Sequence, residues 1–283
     1  MRKSLSERIG FFLLTLAGIL VLFILGVILL DIFSKGIKTI SWEFLTQPPR
    51  EGMTKGGISP AILGTFVVSL ITVIFAVPLG MFAAIYLHEY ARPGKMTRLI
   101  RLSIRNLSGV PSIVYGLFGV ALFVQMLKFG TSILSSGLTL GLLTLPWTIT
   151  ACEEALKTVP QSYREGAFAL GATKWYAIRT NVLPYAVPGM LTGVILGLSR
   201  AAGETAPILF TGAAFFLPHL PRSLFDQFMA LPYHLYILAT QHQAIEKVRP
   251  IAYGTALVLL GLIFLLNLSA VWIRYRYRQR MRG

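Results

Sequence analysis

Arg200 and Glu204, in "GLSRAAGETAPILF", are the only charged residues in the 34-residue stretch from Tyr185 to Pro218. Spaced four apart, they would share one face of a helix, one turn from each other. At a bilayer centre either one alone costs about 2.5–3.5 kcal/mol on insertion scales. Two kinds of chemistry fit the pair. One is a buried ion pair that neutralises itself and pins helix packing. The other is the lining of a path for an anion. An arginine presents a planar fork of donors that matches an oxyanion, and a carboxylate one turn away holds the fork in place and weakens its grip. Ala201, Ala202 and Gly203 keep the neighbouring surface small, and Pro207 loosens the helix beyond.

Other chemistry is absent from the sequence. The single cysteine, Cys152 in "TACEEAL", excludes an intrachain disulfide. His88, His219, His234 and His242 form no local metal motif, so neither a metal site nor a catalytic cluster is expected. No GxxxxGK[ST] stretch occurs, so ATP is not expected to bind to this chain.

The elements that carry the pair follow from composition. Of 283 residues, 55% are hydrophobic and 13% charged, about half the charged share of a soluble domain. Mean hydropathy is +0.69. The net charge of +15 comes from basic residues flanking apolar runs, which indicates membrane topology rather than nucleic-acid binding. The runs are too long for barrel strands. They predict an all-α integral membrane protein of one domain, 1–283, with six spans at about 9–32, 58–87, 107–127, 136–152, 185–210 and 250–273. The first is read as a retained anchor. Pro78 is a candidate kink in the second, and "GTSILSSG" a short connection before the fourth.

Six spans put both termini on one side. That side carries 17 Lys and Arg against eight on the other, so the positive-inside rule predicts cytoplasmic termini. Two long segments then lie outside, Ser34 to Lys55 and Phe215 to Arg249. In the second, Asp226, Pro232 and His234 argue for an interfacial or re-entrant helix instead of a seventh span.

The 153–184 loop has helical patterning. "SYREGAFAL" is expected to end at Gly171 as a C-terminal cap. Thr173 is expected to cap a second helix, "KWYAIRTNVL", stopped by Pro184. Together they make a compact knob on the cytoplasmic face.

This loop resembles the EAA motif of ABC importer permeases: Glu-Ala-Ala, three residues, Gly, nine residues, Ile-x-Leu-Pro. Glu165, Gly166, Ala167, Gly171, Leu183 and Pro184 stand at the matching positions. Gly166 departs from the first Ala, and Asn181 from the Ile. "GGISPAILGTFVVSL", "PLGMFAAIYLHEYA", "NLSGVPSIVYGLFG" and "RAAGETAPILFTGA" extend the likeness to phosphate importer permeases of the PstA type, which have the MetI-like core fold.

The resemblance implies a multi-pass subunit of a bacterial-type plasma membrane. It implies a PstC-like permease partner, two PstB-like ATPase subunits carrying ATP and magnesium, and a periplasmic PstS-like phosphate-binding protein. It implies that the loop is the coupling helix that docks on the ATPase, with Glu165, Gly166, Ala167 and Gly171 on the docking face. Two other readings remain: a permease for another oxyanion, and a self-sufficient ion-coupled transporter using Arg200 and Glu204 as a charge relay. The latter often shows internal repeats, and none is visible.

Overall fold

The structure is a computed structural model that describes residues 5–280. The charge count above also used residues 1–4 and 281–283, which lie outside the described residues.

Among the described residues, five helices are long and apolar enough to cross a membrane: Ile9–Gly36, Ser59–Tyr90, Ile133–Lys157, Lys174–Ala202 and Ile245–Tyr277. A bent pair, Lys95–Leu107 and Ser112–Met126, makes a sixth if counted as one. In chain order the elements are α1 (Leu5–Gly36), α2 (Trp42–Thr46), a two-stranded hairpin of β1 (Pro49–Arg50) and β2 (Lys55–Gly56), α3 (Ser59–Ile85) and α4 (Lys95–Leu107). Then come α5 (Ser112–Gly119), α6 (Ile133–Lys157), α7 (Gln161–Ala169), α8 (Lys174–Ala177), α9 (Leu183–Ala202), α10 (Ala206–Thr211), α11 (Leu231–Thr240) and α12 (Ile245–Arg280).

Helix α6 is the centre, packed on α3, α9, α5 and α10. Lipid tails are as apolar as leucine, so close backbone approach, not burial from water, joins such helices. Glycines allow it here. A Cβ on Gly137 would strike Ile71 of α3, and one on Gly193 would strike Ala151 of α6. Buried hydroxyls satisfy themselves locally: Thr65, Thr72, Thr139, Thr144 and Thr148 each donate to the carbonyl four residues back. Helix α1 lies apart, with its central window unburied, and meets the rest mainly along α12.

Several boundaries differ from the sequence expectation. Helix α3 runs unbroken through Pro78 and continues as a π-helical turn, Tyr86–Tyr90. The span expected at 107–127 begins at Ser112, because Pro111 closes off the chain before it. The helix at the fourth expected span, Ile133–Lys157, extends beyond 136–152 at both ends. Ser132 caps its start by accepting from Ser135 N, so most of "GTSILSSG" is helix. Pro184 does not stop the second loop helix. A π-helical turn, Ile178–Val182, absorbs the missing donor and carries α8 into α9. The fifth span, expected to run to 210, breaks after Ala202 and restarts at Ala206, with Pro207 in the new first turn. The last helix starts at Ile245, ahead of Pro250.

The segment after α10 caps the bundle. Ile133 N donates to Asp226 O and Leu134 N to Leu224 O, which satisfies the start of α6. The backbone N–H groups of Arg222 and Ser223 hold the Asp226 carboxyl below its usual range. Helix α11, expected as an interfacial or re-entrant helix, packs into the bundle. Leu231, Tyr233, His234, Ile237 and Leu238 are buried, and Leu231 N donates to Thr65 Oγ1 at 2.8 Å.

Gly64 sits against the backbone carbonyl of Met229, where nothing can give way. Gly64→Ala should lower stability in detergent by about 1–3 kcal/mol. Gly261→Ala, with open space around it, should be neutral or slightly stabilising by thermal unfolding of the same preparation.

Candidate functional site

Two separate constellations carry the sequence-predicted residues. The first is the knob made by α7 and α8. Gly171, at φ +79°, turns the chain out of α7. Thr173 Oγ1 accepts from Tyr176 N and starts α8. Asn181, a departure from the motif, donates to Tyr163 O at 3.3 Å and fastens the second helix to the first.

The knob has distinct inner and outer sides. Glu165, Gly166 and Gly171 are exposed, and a side chain on Gly166 or Gly171 would meet open space. Ala167 is a correction. It is buried, because the helical turn that exposes Glu165 and Gly166 points it inward with Arg164. Leu183 and Pro184 are half-buried at the junction with α9. The outer surface also carries Phe168, Trp175, Tyr176 and Leu170, the last 90% exposed. Apolar side chains so displayed suit contact with another protein or with a membrane surface.

The inner side is clamped. Arg164 Nη2 donates to Glu89 Oε1 at 2.6 Å, and Nε contacts both carboxylate oxygens at 3.2 and 3.3 Å. The same guanidinium donates to Val159 O at 3.0 Å and to Leu156 O at 3.3 Å. Glu89 ends the α3 rod and Leu156 ends α6, so one buried side chain ties both rods to α7. Nearby, Arg101 Nε lies 2.7 Å from Glu153 Oε1, and its Nη2 donates to Leu87 O at 2.8 Å. The sequence reading passed over these four residues. Their signal was opposite charges just beyond the ends of apolar runs.

The second constellation is Arg200 with Glu204. They are close, with Nε 3.4 Å from Oε1, but they do not share a helix. Gly203 ends α9, and Glu204 sits in the turn that follows, where its N–H donates to Ala201 O. Glu204 lines a recess of about 10 Å³ with Thr65, Ser69 and Pro232. The Arg200 side chain is 45% exposed against 16% for Glu204, and its guanidinium lies 5.4 Å from the centre of the exposed Trp147 ring. The contact is an ion pair at 3.4 Å and not a hydrogen bond. The two Nη groups make no hydrogen bond among the described residues, so the outer part of the fork is open.

Residues 76–283 match the family described as binding-protein-dependent transport system inner membrane component. The chain belongs to this family. This permease is 32% identical over 266 residues to the probable ABC transporter permease protein YqgI of Bacillus subtilis, covering 88% of this chain and 90% of that protein. It is 37% identical over 228 residues to phosphate transport system permease protein PstA 1 of Mycobacterium tuberculosis, covering 80% and 72%. The probable phosphate transport system permease protein PstA of Methanocaldococcus jannaschii is 33% identical over 281 residues, covering 97% and 94%.

Among solved structures, a bacterial ABC transporter involved in import of the polysaccharide alginate superposes with a TM-score of 0.67 at 14% identity, covering 97% of this permease and 99% of that chain. The MetNI methionine ABC transporter gives 0.58 at 18%, covering 78% and 94%. These two likenesses bear on fold alone.

Removing one partner of a buried ion pair strands the other. Arg164→Gln should destabilise the purified permease by about 3–5 kcal/mol. Glu89→Gln with Arg164→Gln should cost less than either single change, read from thermal unfolding in detergent.

Proposed function

We propose that this permease is one of two permease subunits of an ATP-driven phosphate importer and forms half of the path for the anion. The observation that carries the reading is the likeness to phosphate permeases over nearly the whole chain, with an open arginine fork where the fifth span breaks. A related permease would complete the path. Two ATPase subunits would bind ATP and magnesium, which this chain has no motif to hold. A phosphate-binding protein would deliver the anion from outside.

The knob would dock on the ATPase through Glu165, Gly166, Gly171 and the apolar tip at Leu170. Its inner clamp to α3 and α6 supports transmission of movement into the bundle. Residue 5 and residue 280 would lie on the knob's side, which the basic charge bias makes cytoplasmic. Ser34–Lys55 and Phe215–Arg249 would then face the binding protein.

Arg200 and Glu204 suit transit better than storage. The Nη groups would meet phosphate oxygens as the anion sheds water, while Glu204 holds Nε and weakens the grip. The alternative of a purely structural pair sits poorly with an arginine nearly half exposed.

The test is phosphate uptake by the full complex in proteoliposomes. Arg200→Gln should leave assembly and ATP hydrolysis intact and reduce uptake by at least about tenfold, a loss of some 1.4 kcal/mol or more in the transport step. If assembly fails instead, and Arg200→Gln with Glu204→Gln restores assembly and uptake, the pair is structural. Separately, Leu170→Asp should leave the permease inserted while ATP-driven uptake falls to background. Normal uptake in that variant would remove the knob's tip from the docking surface.

A further inference from the structure

Helix α4 is thirteen residues long, and none of them is buried. It nevertheless has three sides. Thr97, Arg101 and Ile104 are half-buried against the bundle, held by the Arg101 contacts to Glu153 and Leu87. At 3.6 residues per turn, Met96, Leu99, Ile100 and Leu107 gather on a second side. All four are exposed, Met96 by 71% and Leu99 by 57%. Arg98 and Arg105 gather on the side opposite the apolar one, with Lys95 at its margin and one exposed apolar residue, Leu102, between Arg98 and Lys95. Among the described residues none of these three cations is in an ion pair, and no acidic residue occurs between Tyr90 and Cys152.

The direction of α4 gives these sides a meaning. It is bent by 102° from the Ser112–Met126 segment that follows. If that segment runs across the bilayer, α4 runs along its surface. The apolar side then faces one way, the basic side the other, and the bundle lies beside both. A helix with this division rests in the headgroup region, with its apolar side about 5–10 Å into the acyl boundary.

We propose that α4 is an in-plane membrane helix and that Lys95, Arg98 and Arg105 recognise the headgroups of anionic phospholipids. Cationic side chains at that depth attract anionic lipid and extend to the headgroup level. A second protein covering the apolar side would leave the unpaired Lys95, Arg98 and Arg105 without a counter-charge, whereas anionic headgroups supply one. The inference is independent of the transported anion and requires only that the bundle spans a membrane.

The experiment places a nitroxide at Leu99→Cys on the apolar side, and separately at Arg105→Cys on the basic side, in the full complex. The complex is reconstituted in phosphatidylcholine vesicles with or without phosphatidylglycerol. Collision with oxygen, which partitions into lipid, is compared with collision with a water-soluble nickel chelate. At Leu99 oxygen should dominate in anionic vesicles, while nickel should dominate at the label replacing Arg105. Removing phosphatidylglycerol, or adding Arg98→Gln with Arg105→Gln, should raise nickel access at Leu99 several-fold. Shielding of Leu99 from both reagents means that protein covers it, and overturns the proposal. So does nickel access at Leu99 in every vesicle, or oxygen dominance indifferent to anionic lipid. Should the double variant fail to assemble, the two vesicle compositions decide the matter with the native arginines.

Discussion

The buried pair of Glu89 and Arg164 is the constraint on which the rest depends. Taking two charges out of water is expensive, and the mutual attraction repays it only when geometry is good and the spare donors are used. Here the guanidinium meets both carboxylate oxygens and caps two carbonyls at the end of α6. The cost is met at the one place where α3, α6 and α7 converge. The knob is therefore not a loop hanging from the bundle. It is fixed to the two rods that make the most extensive contact in the fold.

That fixing has meaning only because the rods are themselves tightly joined. Helices α3 and α6 approach through Gly80 against Thr148, Gly137 against Ile71 and Gly141 against Phe75. Helix α9 approaches α6 through Gly189 and Gly193. The broken end of α9 carries Arg200 and Glu204. A displacement at the knob thus has a continuous packed route to the fork, by way of α6. The turn at Gly203–Thr205 is where that route ends. It leaves the arginine outward and the glutamate tucked against α3 and the segment leading into α11.

Much of this was legible in the sequence, for reasons that differ by element. Long apolar runs located the membrane helices because a lipid-crossing segment has few alternatives. Gly171 and Thr173 marked the knob's turn because cap chemistry is local. What depended on distant partners was not legible. Proline rules placed a stop at Pro184, yet a π-helical turn carries the chain through it into α9. Helical spacing placed Arg200 and Glu204 on one face. They are indeed adjacent, but through a turn that follows Gly203. Ala167 was assigned outward because its neighbours are, and only the clamp at Arg164 shows which way α7 is rolled. The Glu89–Arg164 pair spans 75 positions in sequence, beyond any local pattern.

The central claim is that the knob and the bundle move as one body when the ATPase acts. The direct measurement is the distance between spin labels at Ser162→Cys on α7 and Tyr86→Cys at the end of the α3 rod, in the full complex. It would be taken without nucleotide and with a non-hydrolysable ATP analogue. The account predicts one narrow distance distribution, the same in both states, while labels placed across the two permeases change separation. A shift or broadening between α7 and α3 on nucleotide binding, with the pair intact, would contradict it.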